Sequence, residues 1–143
     1  MTETLEALRA EFEPQLISPA GCHLTAKLCR MAWENPLEDT PAQVATAMAW
    51  LRMVNRRKAI NHRQTSYSYK HTVERWAAAN GRRQYVSNGS FLMAAKRLEF
   101  RIQPKESRYC CSRAVSPSGY VWDCYNAYLN IGAQRPRTGA QRP

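Results

Sequence analysis

A change in the spacing of apolar residues at Pro104 most constrains how this 143-residue chain folds. Up to about residue 98, apolar residues recur every three or four positions, as in helices; in the short run that Pro104 closes and after Pro104, they alternate with polar residues, as in strands. Helices followed by strands are typical of the α+β class. We therefore predict an α+β fold, in which an N-terminal bundle of about five helices is followed by a small antiparallel sheet of one β-hairpin and one short strand.

Proline, asparagine and glycine mark the ends of the predicted helices, which cover about residues 4–13, 19–34, 41–57, 69–79 and 88–98. In the second helix we expect Leu24, Leu28 and Met31 to form the buried face. The third is apolar over a wide arc, which is typical of the central helix of a bundle. Its C-terminus is predicted to carry the cations of residues 56–58, which suit the helix dipole.

Strands are predicted at residues 99–103, 108–113 and 120–131, with a turn at Ser116–Gly119. Together the elements predict a single domain over residues 1–131. It divides into an acidic helical part (1–39) and a basic helix-helix-hairpin part (40–131). Residues 132–143 repeat GAQRP without apolar periodicity, which predicts a disordered basic tail.

Charge is distributed unevenly along the chain. Residues 1–50 hold three Lys/Arg and seven Asp/Glu, for a net charge of −4, whereas residues 51–143 hold eighteen and four, for +14. Such asymmetry indicates a polyanionic partner, although a basic surface that only keeps the protein soluble is an equal alternative. Seven basic residues, one tyrosine and one asparagine around the last two helices form the predicted site for nucleic acid or another partner: Arg82, Arg83, Tyr85, Asn88, Lys96, Arg97, Arg101, Lys105 and Arg108.

Other site chemistries find little support in the sequence. The five cysteines are odd in number and lack a framework or zinc spacing, so we expect buried thiols. No apolar run is long enough to span a bilayer, and the acidic N-terminus is unlike a secretory signal. We therefore expect a cytoplasmic protein, without a cofactor, a metal, a catalytic residue or a membrane partner.

Two further hypotheses concern the stretch from residue 69 to residue 102, at the centre of the chain. Ala77 and Gly81 have the spacing of a DNA-binding helix-turn-helix, and three helices (41–57, 69–79 and 88–98) followed by a hairpin give the element order of a winged helix. That hypothesis places Asn88, Ser90 and Met93 on the outer face of the helix predicted at residues 88–98. The other hypothesis is a small nucleic-acid-processing enzyme that uses His71 and Glu74. A local pair of these side chains on a helix surface is the simpler interpretation.

Three blocks carry a resemblance: Tyr67-x-x-Lys70-His71-x-x-Glu74, then YVSNGSFLMAA from residue 85 to 95, then NAYLNI from residue 126 to 131. They resemble a family of small, mostly uncharacterised proteins carried by phages and plasmids. The resemblance departs at Glu99, where relatives tend to have glycine. It implies a mobile-element protein, of the kind that binds nucleic acid or inhibits host defence complexes, including CRISPR effectors. Our leading expectation is a non-enzymatic protein that binds nucleic acid or a nucleoprotein complex.

Overall fold

The computed structural model describes residues 2–105 and 125–132, together with the backbone of residues 114–116 and 119–121. This part of the chain contains five α-helices and seven strands in an α+β arrangement, so the predicted fold class is confirmed. The helices are α1 (Leu5–Phe12), α2 (Ala26–Ala32), α3 (Thr40–Leu51), α4 (Ser66–Ala79) and α5 (Asn88–Arg97). The strands are β1 (Ile17–Ser18), β2 (Gly21–Cys22), β3 (Arg56–Asn61), β4 (Ile102–Pro104), β5 (Ala114–Ser116), β6 (Gly119–Val121) and β7 (Ala127–Ile131).

Hydroxyl side chains begin three of these helices. Thr4, Thr25 and Ser87 each accept a hydrogen bond from the backbone N–H three residues later, which satisfies a donor left unpaired in the first turn. At α5 this cap is reinforced from α3, where the buried Gln43 accepts hydrogen bonds from the Ser87 backbone and the Ser90 hydroxyl at 2.8 and 3.0 Å. The start of α5 is therefore determined both by its own sequence and by its neighbour.

Helix α5 is the most enclosed of the helices that the structure describes. Every residue from position 89 to position 95 is buried, on all sides of the helix. The Phe91 ring is stacked on Tyr69 of α4, with centroids 5.8 Å apart, and meets Trp50 of α3 at 6.2 Å. Helix α5 is thus enclosed by α3 and α4, while α3, the helix whose wide apolar arc suggested a central position, packs against α1, α4 and α5.

The short β1–β2 hairpin closes the side of α5 that α3 and α4 leave open. The Gly89 N–H donates to the Pro19 carbonyl at 2.9 Å, and a side chain at position 89 would collide with the Ser18 and Pro19 backbone. Glycine is required here because hairpin and helix backbones touch. The Asn88 amide then ties the same helix end to the Tyr125 carbonyl at 2.8 Å.

A three-stranded antiparallel sheet covers the helices, with β7 in the middle and β3 and β4 at its edges. Ala127, Leu129 and Ile131 of β7 are buried against the helices, whereas Tyr128 is only half-buried. The predicted C-terminal hairpin is present in part: β5 pairs with β6 through Ser116 and Gly119, but in a two-stranded sheet of its own and not in one sheet with β4 as predicted. The predicted strand at residues 108–113 and the predicted tail lie outside the described residues.

Two local predictions are wrong. The cations of residues 56–58 do not end a helix, since α3 stops at Leu51 and Arg56–Asn61 forms the edge strand β3. Its pairing partner is β7, some 70 positions later, and no local signal reveals that partner. Leu24 and Met31 are exposed, because residues 17–22 form the hairpin and α2 begins only at Ala26, where it buries Cys29.

Candidate nucleic-acid interface

The side of the sheet that turns away from the helices carries a polar, basic surface. Gln103 of β4 lies directly opposite Tyr128 of β7, and directly opposed residues share one side of a sheet. Alternation along β4 places Arg101 and Lys105 on that same side. His62, which follows β3, completes the group. We call these five residues, His62, Arg101, Gln103, Lys105 and Tyr128, the sheet face.

Side-chain contacts join the members of the sheet face. The His62 ring meets Tyr128 edge-on with centroids 4.8 Å apart, and its Nε2 lies 2.9 Å from Gln103 Oε1, where it donates a hydrogen bond. The Lys105 ammonium lies 5.9 Å from the Tyr128 ring centroid, at the outer limit of a cation–π contact. Two rings and one cation thus lie side by side across three strands.

The positive charge of the sheet face is not compensated within the described part of the chain. Arg101 donates to a backbone carbonyl, that of Lys58, and no carboxylate pairs with Arg101 or Lys105 among the described residues. The adjoining residues 52–73 contain six Lys/Arg and no Asp/Glu. A surface of this kind attracts polyanions, and its cations are available to phosphate without first breaking an ion pair.

Asn130 fixes the backbone beneath this surface. Its Oδ1 accepts the Arg101 N–H at 2.8 Å and its Nδ2 donates to the Arg57 carbonyl at 2.9 Å, so one buried side chain bridges both edge strands. Arg56 has a structural role, since it donates to the Leu98 and Glu99 carbonyls at the end of α5 and lies over the Phe100 ring. Glu99 itself has a left-handed φ of 64°, the conformation that glycine adopts most readily.

Arg97 belongs to the predicted site but is engaged by the acidic N-terminus. It forms ion pairs with Glu3 and Glu11, and these hydrogen bonds raise the pKa of Arg97 and lower that of Glu3. The arginine therefore fastens α1 to α5 and is not available to a partner in this arrangement. Its neighbour Lys96 is exposed.

Arg82, Arg83 and Tyr85 lie in the loop after α4. The sheet contacts the first residue of α4, where Ser66 accepts the Ala127 N–H, whereas Arg82 and Arg83 follow the opposite end, about 20 Å along the helix axis. Arg82 donates to Thr46 of α3, at 3.5 Å. The predicted residues thus occupy separate surfaces, and of the eight that the structure describes only Arg101 and Lys105 are on the sheet face.

Asn88 and Arg108 are the remaining two residues of the predicted site. Asn88 is engaged in the backbone contacts that hold α5 against Tyr125, Asn126 and Ala20, so its amide is used inside the fold. Arg108 lies outside the described residues.

His71 and Glu74 form the local pair that the simpler interpretation expected, within a larger cluster. Glu74 accepts hydrogen bonds from the Val86 N–H at 3.0 Å and from the buried Lys70 at 3.2 Å, and His71 Nδ1 lies 3.0 Å from its other oxygen. Lys70 also lies 4.5 Å from the Tyr85 ring centroid. The cluster holds the loop before α5 onto α4.

Burial alone would raise the pKa of Glu74, but the hydrogen bonds from Val86, Lys70 and His71 outweigh it and lower the pKa below 4.5. A carboxylate with a lowered pKa is a weaker base than an ordinary one, and this one is already bonded to three partners. The geometry therefore favours a structural role for Glu74. Among the described residues, no group of three His, Cys, Asp or Glu is arranged to hold a metal ion.

Glu74→Gln is expected to lower the free energy of unfolding by about 1 to 3 kcal/mol at pH 7, because buried Lys70 loses its carboxylate partner. Since folding lowers the pKa of Glu74 from 4.5, wild type keeps this stabilisation above that pH and loses it as the pH falls through the lowered pKa. The difference between the proteins should shrink between about pH 5 and pH 3. Urea unfolding at each pH measures it. Exposed Glu99→Gln is the control, and a pH-independent difference for Glu74→Gln would contradict this account.

The winged-helix hypothesis requires an exposed face on α5. Ser90 and Met93, which that hypothesis places on the outer face, are fully buried, and Asn88 is held by the Tyr125 carbonyl. A recognition helix must present side chains to a DNA groove, so α5 in this packing does not serve as one.

The fold also brings together polar groups that were not predicted from the sequence. Ser18 Oγ lies 2.6 Å from His23 Nε2 and accepts the Ala20 N–H, with both residues buried in the β1–β2 hairpin, where they stabilise its turn. His62 and Tyr128 were not singled out as site residues, because their proximity depends on the pairing of β3 with β7. The alternation of Tyr128 and Asn130 with the apolar residues of β7 is the one signal that points to an outer face.

No family model matches this chain, and no curated protein or solved structure matches it either. The resemblance to phage- and plasmid-borne proteins therefore stays a prediction. No helix in the described residues has the length and apolar character needed to cross a membrane.

Proposed function

We propose that this protein binds nucleic acid, alone or within a nucleoprotein complex, and catalyses no reaction. The observation that carries the proposal is the sheet face, where Arg101 and Lys105 lie beside two aromatic rings with no carboxylate partner in the described structure. Lys and Arg that neutralise phosphates release counterions, which supplies most of the sequence-independent affinity for nucleic acid.

The biological setting of the proposal comes from the resemblance to mobile-element proteins. A small phage or plasmid protein with a basic surface is suited to occupy the nucleic-acid channel of a bacterial defence complex, such as a CRISPR effector. We include inhibition of such a complex in the proposal. A pull-down from host lysate with and without nuclease treatment tests it: loss of a captured assembly after nuclease shows that nucleic acid bridges the contact, and capture of none contradicts the inhibitor role.

The direct test replaces the two sheet-face cations. Arg101→Gln with Lys105→Gln is expected to weaken binding of a short oligonucleotide about tenfold at low salt and to reduce the slope of log K against log salt by about 1.5 to 2. Fluorescence anisotropy across a salt series measures both quantities. Tyr128 and His62 are unchanged in this variant, so any loss reflects charge.

The matched control removes the same charge elsewhere. Arg82→Gln with Arg83→Gln also lowers the net charge by two, but at the far end of α4, and should change affinity less than about threefold. Equal losses in both variants would mean that binding follows net charge and not the sheet face. Failure of wild type to bind any oligonucleotide would overturn the proposed function. Thermal melting checks that both variants are folded.

A further inference from the structure

We infer that the sheet face takes unpaired nucleotides, with a base stacked on the Tyr128–His62 pair and the flanking phosphates bound by Arg101 and Lys105. The inference rests on the proposed function and names its ligand class, a single-stranded nucleic acid. Three observations support it.

The first observation is the position of the rings. Tyr128 lies on the central strand β7 and is half-buried, while His62 beside it is exposed, with their centroids 4.8 Å apart. Aromatic rings on an open sheet offer π surfaces at the level of the strands. Every base has a π face, so such rings bind bases with little sequence preference.

The second observation is the placement of charge around the rings. Arg101 and Lys105 are four residues apart on one side of an extended segment, which separates their Cα atoms by roughly 13 Å. Gln103, and opposite it Tyr128, lie between them. A base on the ring therefore has a cation on either side along the strand, where the backbone of a single strand would continue in both directions.

The third observation disfavours a duplex. A duplex hides its base faces by stacking, and proteins read it with an element that enters a groove. The helix that would have to do so, α5, is enclosed by α3, α4 and the β1–β2 hairpin. A shallow basic surface with two rings is instead the arrangement used for unstacked bases.

Three probes of equal length test the inference by anisotropy: an oligothymidylate, an abasic strand with the same number of phosphates, and a duplex. Wild type is expected to bind the oligothymidylate at least about tenfold more tightly than the abasic strand. Equal affinity for the oligothymidylate and abasic strands would overturn the stacking inference and leave the proposed function standing. Binding to none of the three would overturn the proposed function itself. Preference for the duplex would also overturn the inference.

Substitutions of Tyr128 and Tyr85 then test which ring the base stacks on. Tyr128→Leu should weaken binding to the oligothymidylate about 5- to 20-fold while affinity for the abasic strand and the salt slope stay the same. Tyr128→Phe should retain the wild-type affinity, because the ring remains. Tyr85→Leu, which removes an exposed tyrosine outside the sheet face, is the control and should have no effect. If Tyr85→Leu rather than Tyr128→Leu abolishes the preference for bases, the assigned site is wrong. Should Tyr128→Leu fail to fold, the comparison of probes with wild type still decides.

Discussion

Gly89→Ala is expected to lower the free energy of unfolding by about 3 kcal/mol or more, since overpacking against rigid backbone cannot be relieved by a side-chain rotation. A Cβ at position 89 would lie 2.6 Å from Pro19 Cα and closer still to the Ser18 carbonyl oxygen. To make room, the β1–β2 hairpin must move away from α5. That movement breaks the hydrogen bond between Gly89 N–H and the Pro19 carbonyl. Urea unfolding followed by circular dichroism measures the loss.

Gly81→Ala provides the matched control for this prediction. A Cβ at position 81 meets no atom within 4 Å, so the substitution tests only the left-handed φ of 79° that follows α4. Its expected cost is about 1 to 2 kcal/mol. Comparable losses at the two positions would show that backbone conformation, and not contact with the hairpin, sets the requirement at position 89.

Phe91→Ala is expected to lower the free energy of unfolding by about 3 to 5 kcal/mol, the range for a large aromatic side chain removed from a core. Phe91 is fully buried and its ring contacts both Tyr69 and Trp50, so the cavity would open where α3, α4 and α5 meet. Chemical unfolding at neutral pH measures the effect. Near-ultraviolet circular dichroism should also weaken, because Trp50 loses its packed surroundings.

Phe91→Leu is the milder partner of that variant. Leucine keeps most of the apolar volume and loses the ring stack, so a cost of about 1 to 2 kcal/mol is expected. A loss below about 1 kcal/mol for Phe91→Ala would contradict the central position of α5.

Much of the fold could be predicted from local signals. Hydroxyl caps, proline and glycine mark real helix ends at Thr4, Ser87 and Asn80–Gly81. The change of period at Pro104 is only part of the pattern, because β1, β2 and β3 lie among the helices. The enclosure of α5 could not be predicted in full. Its sequence shows one apolar face, but Ser90 and Met93 are buried because a hairpin from residues 17–22 covers the other side, and that contact spans about 70 positions.

The candidate site was predicted in part. The excess of Lys and Arg after residue 50 led us to predict one basic site, but the structure places the predicted residues on separate surfaces, and Arg101 and Lys105 are the described members that lie on the sheet face. Arg97 was expected to be available, but its partners Glu3 and Glu11 lie more than 80 positions earlier. His62 and Tyr128 come together only through the pairing of β3 with β7, whose register shifts between Arg56 and Asn61. The local sequence thus shows where charged residues are concentrated, whereas their ion-pair partners and the contacts between strands depend on tertiary structure.

Strand β3 has a consequence for the behaviour of the protein at high concentration. It forms one edge of its sheet, and an exposed edge is a template on which a second copy can add a strand. Arg57 and Lys58 are exposed on that strand, so two such edges repel each other in water. Bound polyanions or high salt would screen this repulsion. Self-association should therefore increase with ionic strength, and light scattering across a salt gradient would reveal it.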